Sequence, residues 1–577
     1  MIRYREGLQV TDNRNFILAI VLSALVLFGW SAVSETFFPT ASTPSTKMVD
    51  GKQVAVPKPQ ADPTADSPAA IRDRRVVLAE APRLPIVTPS LRGTINLRGA
   101  RIDDLVLTRH TQDMRVGSPP VRLLSPAGAP DAYFAQFGWT GEGAALPGPN
   151  TIWTKTGDRL ATGRPVRLSW DNGAGQTFAI DLSVDENYMF TARQSVANRG
   201  AGPIAVRPYS LVNRAKASPD PDSWTLHIGP VGVFNGAADY NTGFADLLEA
   251  PERRVSSTGG WLGFTDKYWL TALVPDQKAS IDATFRRTGQ GGFQADASPA
   301  PAIVAPGRTA SYQSRFFAGA KEIRLLDRYA DGGIPLFERA IDWGWFRWFM
   351  KPIFYLLDWL FGAIGNFGVA IICLTVIVRG LMFPIAQRQF QSMAAMRVVQ
   401  PKMKEIQERF KDDKPRQQQE MLKLYQAEKI NPLAGCLPIV VQIPIWYALY
   451  KVLLIAVEMR HQPFAGWIKD LAAPDPLTPI NLFGFLDFAP PAFLAVGILP
   501  IIVGITMWLQ FKLNPQPTDP VQAQVFSIMP WVLMFVMAPF AAGLQLYWAT
   551  SNILTILQQK WLYSRYPGMK AATEPAT

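Results

Sequence analysis

Cysteine and histidine are nearly absent: Cys373 and Cys436, with His110, His227 and His461, are all that 577 residues contain. No cysteine precedes residue 373, so a disulfide framework is excluded from the first half of the chain. The motifs H-E-x-x-H, G-x-x-x-x-G-K-[ST] and G-x-S-x-G are also missing. Their absence speaks against a protease and an ATP-driven pump, and no metal or cofactor is expected. Basic residues exceed acidic ones, 57 to 46, giving a formal charge of +11. They are spread along the chain without a nucleic-acid motif, so nucleic acid is not an expected direct partner and anionic lipid is.

What is abundant is apolar sequence, and it is unevenly placed. Residues 1–15 read as a cytoplasmic flank. Phe16 to Val33 approaches the ~20 apolar residues that span a bilayer, so 16–34 is expected as the first transmembrane helix. The run ends in Trp30 and then Glu35 without a small-x-small site, which favours an uncleaved anchor over a cleaved signal. Residues 35–75, rich in Pro, Ala, Ser and Thr, read as a linker. From 76 to 325 short alternating stretches such as Val166-Arg167-Leu168-Ser169-Trp170 are separated by Gly, Pro, Asn and Asp. That pattern predicts an all-β sandwich domain.

Residues 335–361 mix Trp343, Trp345, Trp348 and Trp359 with charged groups. They are read as an interfacial amphipathic helix, the alternative being a helix packed on the β domain. Five further spans are expected at 364–386, 436–457, 493–511, 525–540 and 543–562. The loop 387–435 holds ten Lys and Arg residues and the loop 458–492 only Arg460 and Lys469. The first is therefore cytoplasmic and the second lies outside. The loop 512–524 and the tail 563–577 then fall in the cytoplasm. The fold class is a multi-domain membrane protein: six transmembrane α-helices, five of them a core, plus the β sandwich.

Arg379 stands in the apolar run Ile371 to Pro384. A guanidinium stays charged at any accessible pH, and placing it at bilayer depth costs roughly 2.5 to 3.5 kcal/mol on insertion scales. Two readings are open. Arg379 snorkels to the cytoplasmic headgroups, or it faces a hydrated cavity lined by Thr375, Gln442, Gln510, Gln545, Thr550, Ser551, Asn552 and Thr555. No carboxylate lies within the other spans.

Within 387–435, Met396, Val399, Met403, Ile406 and Phe410 recur at helical spacing, and Asp412-Asp413-Lys414-Pro415 breaks the pattern. A charged helical hairpin is expected. With ten basic and six acidic residues its net charge is +4. Arg397, Lys402, Lys404, Arg409, Asp412 and Asp413 are its candidate docking residues. It is read either as a hairpin resting on headgroups or as an arm for a nascent chain or ribosome-associated partner.

The last third, through Ile377-Val378-Arg379-Gly380, Lys429-Ile430-Asn431-Pro432-Leu433-Ala434-Gly435-Cys436-Leu437-Pro438, Gln442-Ile443-Pro444-Ile445, Leu546-Tyr547-Trp548 and Ser551-Asn552, resembles the YidC membrane protein insertases of Gram-negative bacteria. Gly259-Gly260-Trp261 and Tyr268-Trp269 resemble that family's periplasmic domain. The resemblance implies an insertase and chaperone of the inner membrane, with both termini cytoplasmic and residues 35–352 periplasmic. Its groove would be open to the cytoplasm and to lipid, with Arg379 as the groove arginine and Thr375 one turn earlier. Trp446 and Trp548 stand where the family often has Phe and Tyr; Tyr547 precedes the latter. Implied partners are nascent membrane proteins, a Sec-type translocon, and a ribosome or targeting factor.

Two readings from other classes compete. A secondary transporter would show inverted repeats with acidic midplane sites, and none is visible. A membrane-tethered carbohydrate module would place the work in the sandwich, where no carboxylate pair stands out. Deleting residues 76–320 separates them. Insertion of client proteins is expected to persist, and its complete loss would favour the sugar module.

Overall fold

The computed structural model describes residues 71–220, 225–289, 291–428, 437–486, 488, 495–513 and 520–565. The expected anchor at 16–34, residues 35–70 of the linker, residues 429–436 with Cys436, Asp487, most of the 512–524 loop and the tail beyond 565 lie outside the described residues.

Alternation builds the first half. In Gln176–Val184 and Val166–Asp171 inward residues such as Phe178, Ile180 and Leu168 are fully buried, while Thr177, Asp181, Arg167 and Ser169 on the other face are at least partly exposed, as a period of two requires when one face is wet. Two antiparallel sheets result. One runs Arg83–Val87, Leu91–Asn96, Arg101–Thr111, Tyr133–Glu142, Ile204–Arg214, Gly292–Pro299, Ser280–Thr288, Glu252–Thr258. Pro120–Leu124 and Ala302–Val304 join it off this path. The other runs Ala237–Asp239, Gly229–Phe234, Trp261–Thr265, Trp269–Val274, Arg308–Ala320, Met189–Asn198, Gln176–Val184, Val166–Asp171, Thr154–Thr156. Phe190, Phe264 and Phe316 fill the space between them, while Trp261 and Phe317, on the opposite face of the second sheet, pack against Phe337. Gly263 is required where it sits, because a Cβ there would lie 1.9 Å from the carbonyl oxygen of Thr271 on the adjacent strand. Two short helices, α1 (Arg74–Ala79) and α2 (Asp246–Glu249), accompany the sheets.

Helices make up the rest: α3 (Ile323–Asp331), α4 (Arg347–Ile364), α5 (Phe367–Leu381), α6 (Phe383–Arg409), α7 (Lys414–Ala427), α8 (Leu437–Ile455), α9 (Ile498–Leu513), α10 (Pro520–Met537) and α11 (Ala542–Arg565). Among the described residues no single helix is long and apolar enough to cross a membrane, but α5 with the first turns of α6 passes as a pair bent by 57°. The bend falls at Met382, just before Pro384, whose ring cannot continue the ladder of the preceding helix.

The aromatic segment differs from a continuous helix over 335–361. Gly344 takes a left-handed φ of 66°, Trp343 is fully buried, and α4 begins only at Arg347. Trp348 and Trp359, eleven residues and so three turns apart, stay exposed on one stripe, while Met350, Phe354 and Leu357 face inward. Lys351–Asp327 and Arg324–Asp358 ion pairs tie α4 to α3. In α6 and α7, Val399 and Met403 pack against Met421, Leu424 and Tyr425, and Asp413 accepts from the Arg416 amide at 3.1 Å to cap α7.

A polar seam joins the sandwich to the helices. The fully buried Lys451 of α8 donates from Nζ to the Thr225 carbonyl and lies 3.9 Å from the Asp342 carboxylate. Arg460 donates to the carbonyls of Thr111 (2.7 Å) and Gln112 (2.9 Å) while lying over the rings of Trp269 and Tyr268. Glu458 accepts the amide of Ile323 at 2.7 Å, serving as the N-terminal partner of α3 from across the seam. Burial, with the Glu322 and Asp358 carboxylates nearby, pushes the Glu458 carboxyl up to about 7 from its usual 4.5.

Between those two values the folded chain keeps a proton that the unfolded chain has lost. The contribution of Glu458 is therefore full at acid pH and falls as pH rises to about 7. Hydrogen-exchange protection of residues 323–331, corrected for intrinsic rate, is expected to be greater at acid pH than above neutrality. Glu458→Gln should abolish the difference, and an unchanged profile in that variant would reject the assignment.

Candidate functional site

The centre of the helical region is one helix, α11. Tyr547 and Ser551 are four residues apart on one stripe, and Trp548 and Asn552 repeat that spacing beside them. Between them the four reach three other helices, α5, α8 and α9. Tyr547 O–H receives a hydrogen bond from Gln442 Nε2 of α8 at 2.6 Å. Ser551 Oγ accepts two N–H groups of Arg379 on α5, one of them Nε at 3.0 Å. Asn552 Nδ2 donates to Thr506 Oγ1 of α9 at 3.1 Å. The Trp548 ring meets Trp446 of α8 edge to face at 5.9 Å, and Trp446 stacks on Tyr450 at 5.8 Å and touches Phe540 at 6.3 Å.

Arg379 is half-buried, and no carboxylate pairs with it among the described residues. Its neighbours Gly380 and Phe383, with Leu554, Leu557, Gln558 and Trp561 of α11, line an open cleft of about 360 Å³. Gln558 Nε2 is buried in the cleft region without a hydrogen-bond partner among the described residues. The cleft thus joins one fixed cation and one spare amide to an apolar wall.

Other residues singled out from the sequence are placed differently. Thr375 is fully buried, and its hydroxyl donates to the Ile371 carbonyl at 2.6 Å, so it does not face the cleft. Gln510 is half-buried one turn beyond Thr506 on α9, with no hydrogen bond to this group among the described residues. Gln545 points away, donating to the carbonyls of Met537 (2.9 Å) and Phe540 (2.9 Å) and fixing the turn between α10 and α11. Thr555 closes on the Ser551 carbonyl at 2.7 Å. In the hairpin Lys402 pairs with Glu428 at 2.7 Å, the Arg409 guanidinium lies 6.0 Å from the Phe410 ring centre, and Lys404 and Asp412 are exposed. The side chain of Arg397 lies outside the described residues.

Several contributors escaped the sequence reading. Tyr450 and Phe540 extend the aromatic group, Thr506 anchors Asn552, and Gln558 and Trp561 line the cleft. Lys451 carried the clearest signal, as the one charged residue of α8.

Comparison with known proteins accounts for both halves. Residues 359–570 match the family model described as 60Kd inner membrane protein, and residues 83–356 match the YidC periplasmic domain. The membrane protein insertase YidC of Zymomonas mobilis is 50% identical over 559 residues, 96% of this chain and 96% of that one. The corresponding protein of Acidiphilium cryptum is 48% identical over 86% of each chain. A solved structure of an active YidC insertase covers 85% of this chain and 96% of its own at 18% identity and a TM-score of 0.36. With near-complete coverage at this identity, the chain belongs to the YidC family of membrane protein insertases, inner-membrane proteins with a periplasmic domain that are not enzymes.

Proposed function

We propose that this insertase moves the polar ends of newly made membrane proteins through a hydrated groove floored by Arg379. The observation that carries the reading is the partner of that arginine: a serine hydroxyl beside an open cleft, with no paired carboxylate among the described residues. A buried ion pair would hold the cation closed, since breaking one leaves an uncompensated charge. A neutral hydroxyl contact is worth less and is readily exchanged for an incoming carboxylate.

In this reading six spans cross the membrane, with 16–34 first and α5, α8, α9, α10 and α11 forming the core. Both termini and the α6–α7 hairpin are cytoplasmic, and the sandwich is periplasmic. Arg379 is twelve residues along α5 from Phe367, about 18 Å at 1.5 Å per residue, which puts it just past the middle of a ~30 Å hydrocarbon core. The polar part of the crossing is thereby shortened. The client's own helix meets Trp446, Trp548 and the apolar wall and then partitions into lipid. Each central Leu, Ile or Phe contributes roughly 0.3 to 0.6 kcal/mol, enough over a full span to need no ATP. Gln442, Gln510, Tyr547, Ser551 and Asn552 keep the groove polar, and Thr375 supports α5 from behind.

The hairpin, with Arg397, Lys402, Lys404, Arg409, Asp412 and Asp413, is proposed as the contact for anionic headgroups and for a ribosome or targeting factor. A Sec-type translocon is the proposed partner for larger clients.

Two measurements test this. In reconstituted vesicles Arg379→Glu is expected to impair clients with acidic translocated tails more than Arg379→Lys does; equal rates would remove the electrostatic role. Photo-crosslinkers at Gln442 and Trp548 are expected to capture a stalled nascent membrane protein, with a probe at buried Thr375 capturing less. No adduct at the first two positions would reject the groove.

A further inference from the structure

The loop between α8 and α9 is held at its base and apolar at its tip. Four hydrogen bonds and one ring contact fix the base to the N-terminal ends of three helices. Asn366 Nδ2, at the start of α5, donates to the Phe464 carbonyl at 2.8 Å, and the Phe464 ring packs on the bare face of Gly368. Asp475, almost fully buried, accepts the Leu499 amide of α9 at 2.7 Å. The amides of Ala542 and Gly543, opening α11, donate to the carbonyls of Ala473 (2.7 Å) and Leu471 (3.0 Å). The loop therefore sits at one level, across the outer ends of α5, α9 and α11.

From this base residues 477–486 run without a single charged side chain. Phe485 is 89% exposed, and Ile480, Leu482, Phe483, Leu486 and Phe488 are each at least 43% exposed. Leu482 and Phe483 are consecutive residues with φ of 50° and 59°, a region that bulky L residues seldom occupy. Hydrogen bonds from Phe483 N to the Thr478 carbonyl and from Leu486 N to the Asn481 carbonyl, both 3.0 Å, hold that turn. The turn presents its apolar side chains outward instead of folding them onto the base.

We infer that this knuckle is embedded in the outer leaflet of the membrane, at the boundary between headgroups and acyl chains. Exposed apolar side chains in this number, most of them in the charge-free run 477–486, are unfavourable in water. Lipid is favoured over a protein partner by position: the base adjoins the end of α4, which exposes Trp348 and Trp359 on one stripe, the residue type enriched at membrane interfaces. The knuckle continues that surface around the outer ends of α9 and α11. With α4 it holds the groove helices at fixed depth from the periplasmic side.

The inference rests on the outward placement of this loop in the six-span reading, which is checked separately. In the full chain with Cys373 and Cys436 replaced by serine, single cysteines are introduced as Phe485→Cys, Ile480→Cys, Lys469→Cys and Val116→Cys. An environment-sensitive fluorophore is attached, and the protein is placed in vesicles of phosphatidylethanolamine and phosphatidylglycerol. Blue-shifted emission at 485 and 480, quenched by lipids spin-labelled near the headgroup and spared by aqueous iodide, is the expected result, with 116 showing the reverse. Iodide quenching at 485 and 480 equal to that at 116 overturns the inference. So does shielding that arises only when a client is bound, which would make the knuckle a client contact. Labelling of position 469 by an impermeant maleimide from the periplasmic side reports the topology alone.

Discussion

A cation that cannot discharge, placed in an apolar helix and given a hydroxyl for company, is the constraint around which the helical region is arranged. Arg379 on α5 commits Ser551 on α11, and Ser551 commits the stripe on which Tyr547 also stands. The adjoining stripe then sets Trp548 against Trp446 and Asn552 against Thr506. One helix thereby fixes the orientation of α5, α8 and α9 at once. The Gln545 amide, holding carbonyls at the end of α10, keeps the entry of α11 from drifting. A client carboxylate arriving at Arg379 would meet a preorganised donor whose resting partner is neutral.

The second organising feature is the seam. A buried lysine, a buried glutamate and an arginine cradled by two aromatic rings all come from the end of α8 and the loop just after it, and all engage backbone groups of the sandwich or of α3. Because the hydrogen bonds go to backbone groups, the contact is sensitive to the folded state of the sandwich, and the Tyr268 and Trp269 rings add a side-chain contribution. The periplasmic domain is thus coupled to the helical bundle through α8, the helix that also supplies Gln442 and Trp446.

Much of this was legible in the residues, for reasons that can be named. The sandwich strands show because one face is buried and one wet, so Phe178 and Ile180 alternate with Thr177 and Asp181 of the other face. Arg379 shows because a charge that cannot discharge stands out in an apolar run. A position one turn from Arg379 suggests a shared face for Thr375, whereas packing against the bundle buries it and its own helix satisfies its hydroxyl. Trp343 is a similar case: four tryptophans near a membrane look alike until Gly344 turns one of them into the core. The pairing of Ser551 with Arg379 and of Lys451 with Thr225 spans 172 and 226 residues. No local pattern encodes contacts at that range.

The seam also bears on how the chain itself is made. Thr225 is synthesised long before Lys451, so the sandwich carbonyl stands waiting on the far side of the membrane while the later helices emerge. In the proposed topology Lys451 reaches it only when α8 is threaded with its C-terminal end outward. A copy in which that helix is inverted leaves an ammonium stranded on the wrong face and an acceptor unanswered. Closure of this contact therefore marks, within the molecule, that a protein devoted to placing the helices of others has placed its own.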